Sequence, residues 1–313
     1  MTDGGMYRYR VNEFAVESDF PLVADATMRG TGDGVPLCLR RESLANVPSL
    51  LRKLRRQMTY DVGTGLIIEP RSTLALLVDY HADKVTVDCT DESLSAASAW
   101  LWNAALGCRT ILRGGLPVHA AGVEVAGRYV GIMAPSGSGK STLTHYLIES
   151  GITRFGNDDL IPVYIQDGNQ VAFPSISLYP KIGADIVERN GLPLDTLIRS
   201  DSAPTREEYY VPLRLEQRAV EPSPLAALFL LAPDESAGEG VICEPLTDAA
   251  TFIFREMHGN WLIGRFLDST KIRRRVQALV DSVPVYRLVY RRDFDILPRL
   301  AEAIRRTVDN QTP

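Results

Sequence analysis

Short segments in the first part of the chain alternate apolar and polar residues. YRYRV, GLIIEP, LALLVDY and KVTVDC are separated by polar turns, and their period of two predicts β-strands. The stretch DESLSAASAWLWNAALGCRTILRGG follows, with apolar residues at three- and four-residue spacing and two closing glycines, which predicts a helix. Its expected core residues are Trp100, Trp102, Leu106 and Ile111.

The pattern breaks at Gly-Gly-Leu-Pro, residues 114–117. After the break, residues 118–125 and 129–134 predict two strands around the turn AGR, and KSTLTHYLIESG predicts a helix that a glycine closes. A chain of 313 residues suits two domains. We therefore expect an N-terminal substrate or accessory domain over residues 1–114 and a second domain over residues 115–313.

Composition and charge narrow the class of protein. Apolar residues make up 45% and charged residues 23%, as in ordinary globular proteins. The net charge of −5 argues against nucleic acid as a partner. No apolar run approaches the roughly 20 residues of a membrane span, and the start lacks the apolar stretch of a secretory signal. The four cysteines form no CxxC pair and are expected to be free thiols, so we expect a cytoplasmic protein. The sequence does not give the oligomeric state, and a homo-oligomer is possible.

The segment APSGSGKST matches a phosphate-binding loop between a strand and a helix, the context that this motif requires. Gly137 and Gly139 allow the backbone to turn its N–H groups towards phosphate. Lys140 can reach the β- and γ-phosphates, and the Ser141 hydroxyl is suited to Mg²⁺. Ala134 stands where glycine is usual, which is tolerated unless φ must be positive. The residues expected to bind nucleotide are Ser136, Gly137, Ser138, Gly139, Lys140, Ser141 and Thr142.

Two acids follow the loop helix in TRFGNDDLIPV, where Asp158 and Asp159 come after a short strand-like run. A carboxylate at the end of a neighbouring strand can complete a Mg²⁺ shell. Transfer to an alcohol needs a second group that accepts the hydroxyl proton, and adjacent acids can divide these roles. A solvated turn is the alternative interpretation. His119, on the strand before the loop strand, is expected beside the loop, where an imidazole could contact phosphate or assist proton transfer.

Three functions are compatible with the loop. A nucleotide switch or ATPase needs neither paired acids nor His119. A small-molecule kinase usually has a mobile, arginine-bearing lid, for which KIRRRVQ is the candidate segment; we interpret that segment as the solvated face of a helix. A kinase that phosphorylates a peptide or protein hydroxyl can use the loop, the paired acids and His119.

These residues resemble the HPr serine kinase superfamily, kinases that carry a phosphate loop and phosphorylate a protein serine. The matching segments are VHAAGVEV, APSGSGKS and FGNDD, in the family's order, and VPVYRLVYRRDFDILPRLAEAI is similar to the C-terminal part of the family's HPr-kinase-like branch. The resemblance covers about residues 114–300. It implies an α/β fold with a P-loop kinase core of the HPr kinase type, preceded by a smaller N-terminal α/β domain, and it implies ATP and Mg²⁺ as cofactors.

The resemblance also implies roles for single residues. Lys140 and the loop backbone would hold the ATP phosphates, and Ser141 would hold Mg²⁺. Asp159 would accept the proton, with Asp158 nearer the metal, although one extra residue between the lysine and the acids leaves this division open. His119 matches the family's active-site histidine. A catalytic arginine is expected downstream; Arg206 is the candidate, and a surface charge is the alternative there.

Two departures from the family concern the metal. The HPr enzymes have Ser-Glu after the lysine, whereas this chain has Ser141-Thr142, and ISLYPKIG has no acid where they carry a metal-binding glutamate. A reverse, phosphatase reaction is therefore in doubt. The N-terminal part resembles the leader region of HPr-kinase-like proteins found with ribosomally made peptides, among them lasso peptide kinases. This implies a partner with an acceptor serine, near the C-terminus of a precursor peptide.

Overall fold

The computed structural model describes residues 6–27, 34–45, 59–135, 137–200, 206–257 and 268–310. The described residues form three β-sheets and seven α-helices, so the mixed α/β class is confirmed. The strands are β1 Tyr7–Val11, β2 Phe14–Ser18, β3 Val35–Arg41, β4 Thr59–Asp61, β5 Gly65–Arg71, β6 Leu74–Asp79, β7 Lys84–Cys89, β8 Leu116–Val118, β9 Ala121–Val125, β10 Arg128–Met133, β11 Arg154–Asn157, β12 Ile161–Gln166, β13 Asn169–Ala172, β14 Lys181–Gly183, β15 Ile198–Ser200, β16 Glu208–Tyr210, β17 Ser223–Pro233, β18 Val241–Pro245 and β19 Val285–Tyr290. The helices are α1 Leu94–Trp100, α2 Leu106–Leu112, α3 Lys140–Glu149, α4 Ala184–Asn190, α5 Ala249–Glu256, α6 Ser269–Ser282 and α7 Leu297–Asp309.

The first seven strands form one sheet in the order β1-β2-β3-β7-β6-β5-β4. Its pairs are antiparallel except β2–β3 and β3–β7, which are parallel. The alternating apolar residues of these strands lie on the buried face, as the period of two predicts. The four strand-like segments quoted from the sequence correspond to β1, β5, β6 and β7 and are confirmed.

A continuous helical segment covers this sheet. It begins with a 3₁₀ turn at Asp91–Ser93 and continues through α1, a π-helical stretch at Leu101–Ala105, and α2. Small alanines let the segment lie close to the sheet, and Trp102 packs edge-on against Tyr9. Of the four expected core residues, Trp102 and Leu106 are buried in this core and the half-buried Trp100 packs against it. Ile111 is buried as well, but in the core that includes α5 and α6.

Nine strands from β8 onward form the second sheet, along the path β11-β9-β10-β17-β13-β12-β8, with β19 beside β17 and β18 beside β19. The central strand β17 reads SPLAALFLLAP, a nearly continuous apolar run that is typical of a strand buried on both faces. Its alternate residues face opposite cores: Leu228 and Leu230 lie with α5 and α6, whereas Phe229 and Leu231 lie with α3 and α7.

One strand prediction is wrong at its start. Residues 118–125 were expected to form one strand, but β8 ends at Val118 and β9 begins at Ala121. The two strands have different partners, since β8 pairs with β12 while β9 pairs with β10 and β11. The chain must leave the strand to change partners, so His119 lies in the break and not within a strand. The expected antiparallel pairing of β9 with the loop strand β10 is confirmed.

The third sheet is small and carries residues of the site. Its order is β14-β16-β15, and all its pairs are antiparallel. Helix α4 follows β14 directly, and Ile182, Ile186 and Val187 form a core of their own. The first sheet ends at Cys89 and the second begins at Leu116. The domain division at residues 114/115 stays a prediction.

Buried polar contacts join the β1–β2 turn to the second sheet. The Asn157 amide donates to Asn12 Oδ1 at 3.1 Å and to Ser175 Oγ at 2.8 Å. The Tyr164 hydroxyl donates to Glu13 Oε1, and burial raises the pKa of Glu13 to about 7. Asn157 is the last residue of β11, so this network supports the strand that leads into the two acids.

Candidate active site

The segment predicted to be a phosphate loop lies between strand β10 and helix α3, the setting that the sequence predicts. Gly137 and Gly139 have φ values of 79° and 86°, which residues with a Cβ rarely adopt. Ala134 is absent from the described residues with positive φ, so alanine causes no strain there. The helix begins at Lys140, and the N–H groups of a first helical turn lack intrahelical partners and favour anions. Ser136 lies outside the described residues.

Two contacts hold the tip of the loop. The Ser138 N–H donates to Pro135 O at 3.1 Å, and the Tyr290 hydroxyl donates to Ser138 O at 3.0 Å. Tyr290 is the last residue of β19, about 150 positions away in sequence. Tyr290 was not predicted as a site residue, because nothing near it in sequence indicates a contact with the loop.

The loop opens onto a cavity of about 1030 Å³. This volume is at the upper end of the range for small-molecule sites. The described residues predicted for the site all line it: His119, Gly137, Ser138, Gly139, Lys140, Ser141, Thr142, Asp158, Asp159 and Arg206. The fold thus brings four separate parts of the sequence to one cavity.

The two acids lie in the turn directly after β11 and have different surroundings. Asp158 accepts a hydrogen bond at Oδ2 from the Lys181 backbone N–H at 3.0 Å, and burial followed by the charge of Asp159 raises its pKa. Asp159 has φ of 72°, a conformation that aspartate tolerates better than most residues, and its Oδ1 contacts Lys140 Nζ. Burial alone would raise the pKa of Asp159, but Lys140 and Lys181 outweigh it and lower that pKa. The solvated-turn interpretation does not fit these contacts.

His119 lies beside the same carboxylate, with Nε2 3.9 Å from Asp159 Oδ1. Burial, followed by the positive charge of Lys140, lowers the pKa of His119. A neutral imidazole donates a hydrogen bond at one ring nitrogen and accepts one at the other, so this side chain can assist proton transfer.

Lys181 and Glu208 were not predicted and also line the cavity. Lys181 Nζ lies 3.8 Å from Asp159 Oδ2 and 3.6 Å from Glu208 Oε2. Lys181 belongs to ISLYPKIG, the segment noted for its lack of an acid, and Glu208 comes from the antiparallel neighbour β16. The carboxylate of Glu208 therefore lies near this segment although the segment itself has no acid, because the pairing of β16 with β14 brings Glu208 there.

Arg206 is an exposed residue at the mouth of the cavity. Its Nη2 lies 4.0 Å from the position that a Cβ on Gly137 would take. The guanidinium therefore faces the loop, where an arginine can approach phosphate oxygens.

The donors present suit Mg²⁺ bound together with a nucleotide. No group of three or more His, Cys, Asp or Glu side chains in the described ranges is arranged to hold a metal ion alone. Mg²⁺ in nucleotide sites takes one or two carboxylates and completes its shell with phosphates and water. Asp158 and Ser141 would be the protein donors, and Glu208 Oε2 is a buried oxygen that has no hydrogen-bond partner within the described ranges.

A second cavity of about 20 Å³ lies behind the acids and shares Asp158, Asp159 and Lys181 with the first. Its other side includes Trp102 and Asn103, from the π-helical stretch that covers the first sheet. The N-terminal part of the chain therefore borders the acids. This space is large enough for about one water molecule.

Comparisons with known proteins do not show to which family this chain belongs. Neither the protein-family models nor the curated proteins match this chain. One solved structure, described as "Structure of the Hpr(Ser) kinase/phosphatase from Coxiella burnetii", is 15% identical over 62% of this chain and 88% of that chain, with a TM-score of 0.32. At this TM-score the similarity indicates neither a shared fold nor a shared function. No helix in the described ranges is both long and apolar enough to span a membrane.

Proposed function

We propose that this chain is an ATP-dependent kinase that transfers the γ-phosphoryl group to a serine hydroxyl of a peptide or protein. The contact between Lys140 of the loop and Asp159 carries the proposal. If Lys140 binds the γ-phosphate, as the loop motif predicts, the carboxylate of Asp159 would lie next to that phosphate. Binding or hydrolysis of a nucleotide needs one acid for the metal, whereas two acids and His119 converge here.

The loop N–H groups and Lys140 would hold the phosphates of ATP. Mg²⁺, held by Asp158 and Ser141, would neutralise charge on the phosphate oxygens when bound. Asp159 takes the proton of the serine hydroxyl as its oxygen bonds to the γ-phosphorus. The bond from that phosphorus to the bridging oxygen breaks, and ADP leaves. A serine hydroxyl is a weak nucleophile, so alignment by the site contributes much of the acceleration.

The two acids can exchange these roles. Asp158 has the raised pKa, and a general base is most effective when its pKa is near the working pH. Asp159 is the first choice because it lies beside Lys140. Asp159→Asn should abolish transfer and keep nucleotide binding, because an amide cannot accept the proton but fills the same volume. If Asp158→Asn does so instead, the roles are reversed.

We further propose that the acceptor serine lies near the C-terminus of a ribosomally made precursor peptide of the lasso type. The resemblance of the N-terminal part to kinases of such peptides supports this. So does the position of Trp102 and Asn103 next to the acids, where they could contact residues that flank the serine. Contacts remote from the reacting hydroxyl would make a peptide a much better acceptor than free serine.

Mass spectrometry of a candidate precursor peptide after incubation with the protein, ATP and Mg²⁺ tests the proposal. We expect one added phosphate, lost when the acceptor serine is replaced by alanine and when Asp159→Asn is used. Equal phosphorylation of free sugars, nucleosides or amino acids would favour a small-molecule kinase. Phosphate release without any phosphorylated acceptor would favour an ATPase.

A further inference from the structure

The two carboxylate oxygens of Asp159 meet two different lysines. Lys140 Nζ contacts Oδ1, and Lys181 Nζ lies 3.8 Å from Oδ2. The lysine side chains are 13% and 18% exposed, and that of Asp159 is 26% exposed. Ion pairs so far removed from water are screened little, so both lysines contribute to keeping this carboxylate charged.

The two lysines differ in how firmly they are held to this position. Lys140 follows the glycine-containing loop and, in the proposed function, has its main partner in the nucleotide. Lys181 lies in a strand whose neighbour contributes Glu208, and its own N–H donates to Asp158 Oδ2. Nearby acids raise the pKa of Lys181 although burial opposes its charge. These contacts of Lys181 with the protein do not involve a nucleotide.

Nucleotide phosphates compete with Asp159 for Lys140. When Lys140 turns to the phosphates, Asp159 loses its closest cation, and a buried carboxylate without a partner is costly. A second cation already in position removes most of that cost. The side chain of Glu208 helps to keep Lys181 there, because its buried Oε2 lies 3.6 Å from Lys181 Nζ and accepts no hydrogen bond from the residues that the structure describes.

We propose that Lys181 is the fixed counter-ion of Asp159, which allows Lys140 to exchange Asp159 for the nucleotide phosphates. Lys181 is thus a positioning residue that acts on nucleotide affinity through Asp159. The inference rests on the proposed function only in requiring that the loop binds a nucleotide. It does not depend on the identity of the acceptor.

A double-mutant cycle on nucleotide affinity tests this exchange. The wild type, Lys181→Met, Asp159→Asn and the double variant are titrated with a fluorescent ADP in EDTA, so that carboxylate changes do not act through a metal. We expect Lys181→Met to weaken binding about tenfold, because Lys140 is then retained by Asp159. Adding Asp159→Asn should recover most of this loss, whereas Asp159→Asn alone should change affinity by less than about threefold.

Additivity would overturn the inference. If Lys181 acted only through long-range charge, Asp159→Asn would tighten binding by the same factor in both backgrounds. Unchanged affinity in Lys181→Met would overturn it as well. Lys181→Arg keeps the charge and should stay near wild type, and Lys84→Met, at an exposed ion pair on the first sheet, is the matched control.

Folding is checked by thermal melting of each variant. If Lys181→Met does not fold, Lys181→Gln replaces it, since an amide is neutral but can still donate hydrogen bonds to the neighbouring acids. A wild-type protein that binds no ADP would overturn the proposed function and this inference together. An additive cycle in a protein that binds ADP overturns this inference alone.

Discussion

Glu13→Gln should change how the stability of this protein depends on pH. Glu13 lies in the β1–β2 turn and is 6% exposed. Its Oε1 accepts a hydrogen bond from Tyr164, and its buried Oε2 has no hydrogen-bond partner in the described part of the chain. Burial raises its pKa from the ordinary value of 4.5 to about 7. The difference of about 2.5 between these values corresponds to about 3 kcal/mol, at 1.36 kcal/mol for each pH unit.

The direction in which stability changes with pH depends on whether the folded or the unfolded chain binds the Glu13 proton more tightly. Between pH 4.5 and about 7 the folded protein keeps the Glu13 proton while the unfolded chain has lost it. The stabilisation is therefore fully present below pH 4.5 and is lost as the pH rises towards 7. Glutamine stays neutral, so Glu13→Gln should become more stable relative to the wild type by about 3 kcal/mol across this range.

Urea denaturation between pH 4.5 and 8, followed by tryptophan fluorescence, measures this effect. Trp100 and Trp102 belong to the core of the first sheet and report on its unfolding. Glu17→Gln is the matched control, since it makes the same substitution at a side chain that is 45% exposed beside Arg8. A difference between Glu13→Gln and the wild type that varies by less than about 0.5 kcal/mol would refute the reasoning.

Three further substitutions test nucleotide binding by the loop, the role of Asp158 in Mg²⁺ binding and the close packing around Gly156. Lys140→Ala should lower nucleotide affinity at least tenfold and nearly abolish transfer, because it removes the charge that faces the β- and γ-phosphates; wild-type transfer activity would contradict the loop assignment. Asp158→Asn should raise the Mg²⁺ concentration needed for half-maximal activity, and a Mg²⁺ titration in which Asp159→Asn shows this shift instead would exchange the two roles. Gly156→Ala should destabilise the protein by about 1–3 kcal/mol, because its Cβ would overlap a buried tyrosine hydroxyl, whereas Gly238→Ala, in open space, should melt like the wild type.

Local sequence was sufficient to predict the strand, glycine-containing loop and helix from β10 to α3. Each feature there depends on neighbours within a few positions: the apolar run of β10, the glycines with positive φ and the helix that begins at Lys140. Backbone sterics restrict such features to a few local conformations, which a short stretch of sequence can specify. The turn with Asp158 and Asp159 was recognisable for a similar reason, because it joins two short apolar runs close to the loop helix.

Only the tertiary structure decided what surrounds those acids. Lys181 reaches Asp159 from a small sheet that local patterns do not reveal, and Glu208 joins it because β16 pairs with β14. Tyr290 reaches the loop from the end of β19. Such contacts depend on which strands pair and in what register, and residues far apart in sequence carry no local signal of that pairing. His119 lies between two strands, and not within the predicted one, for the same reason. Strands β8 and β9 pair with different strands, and strand pairing is a property of the whole sheet.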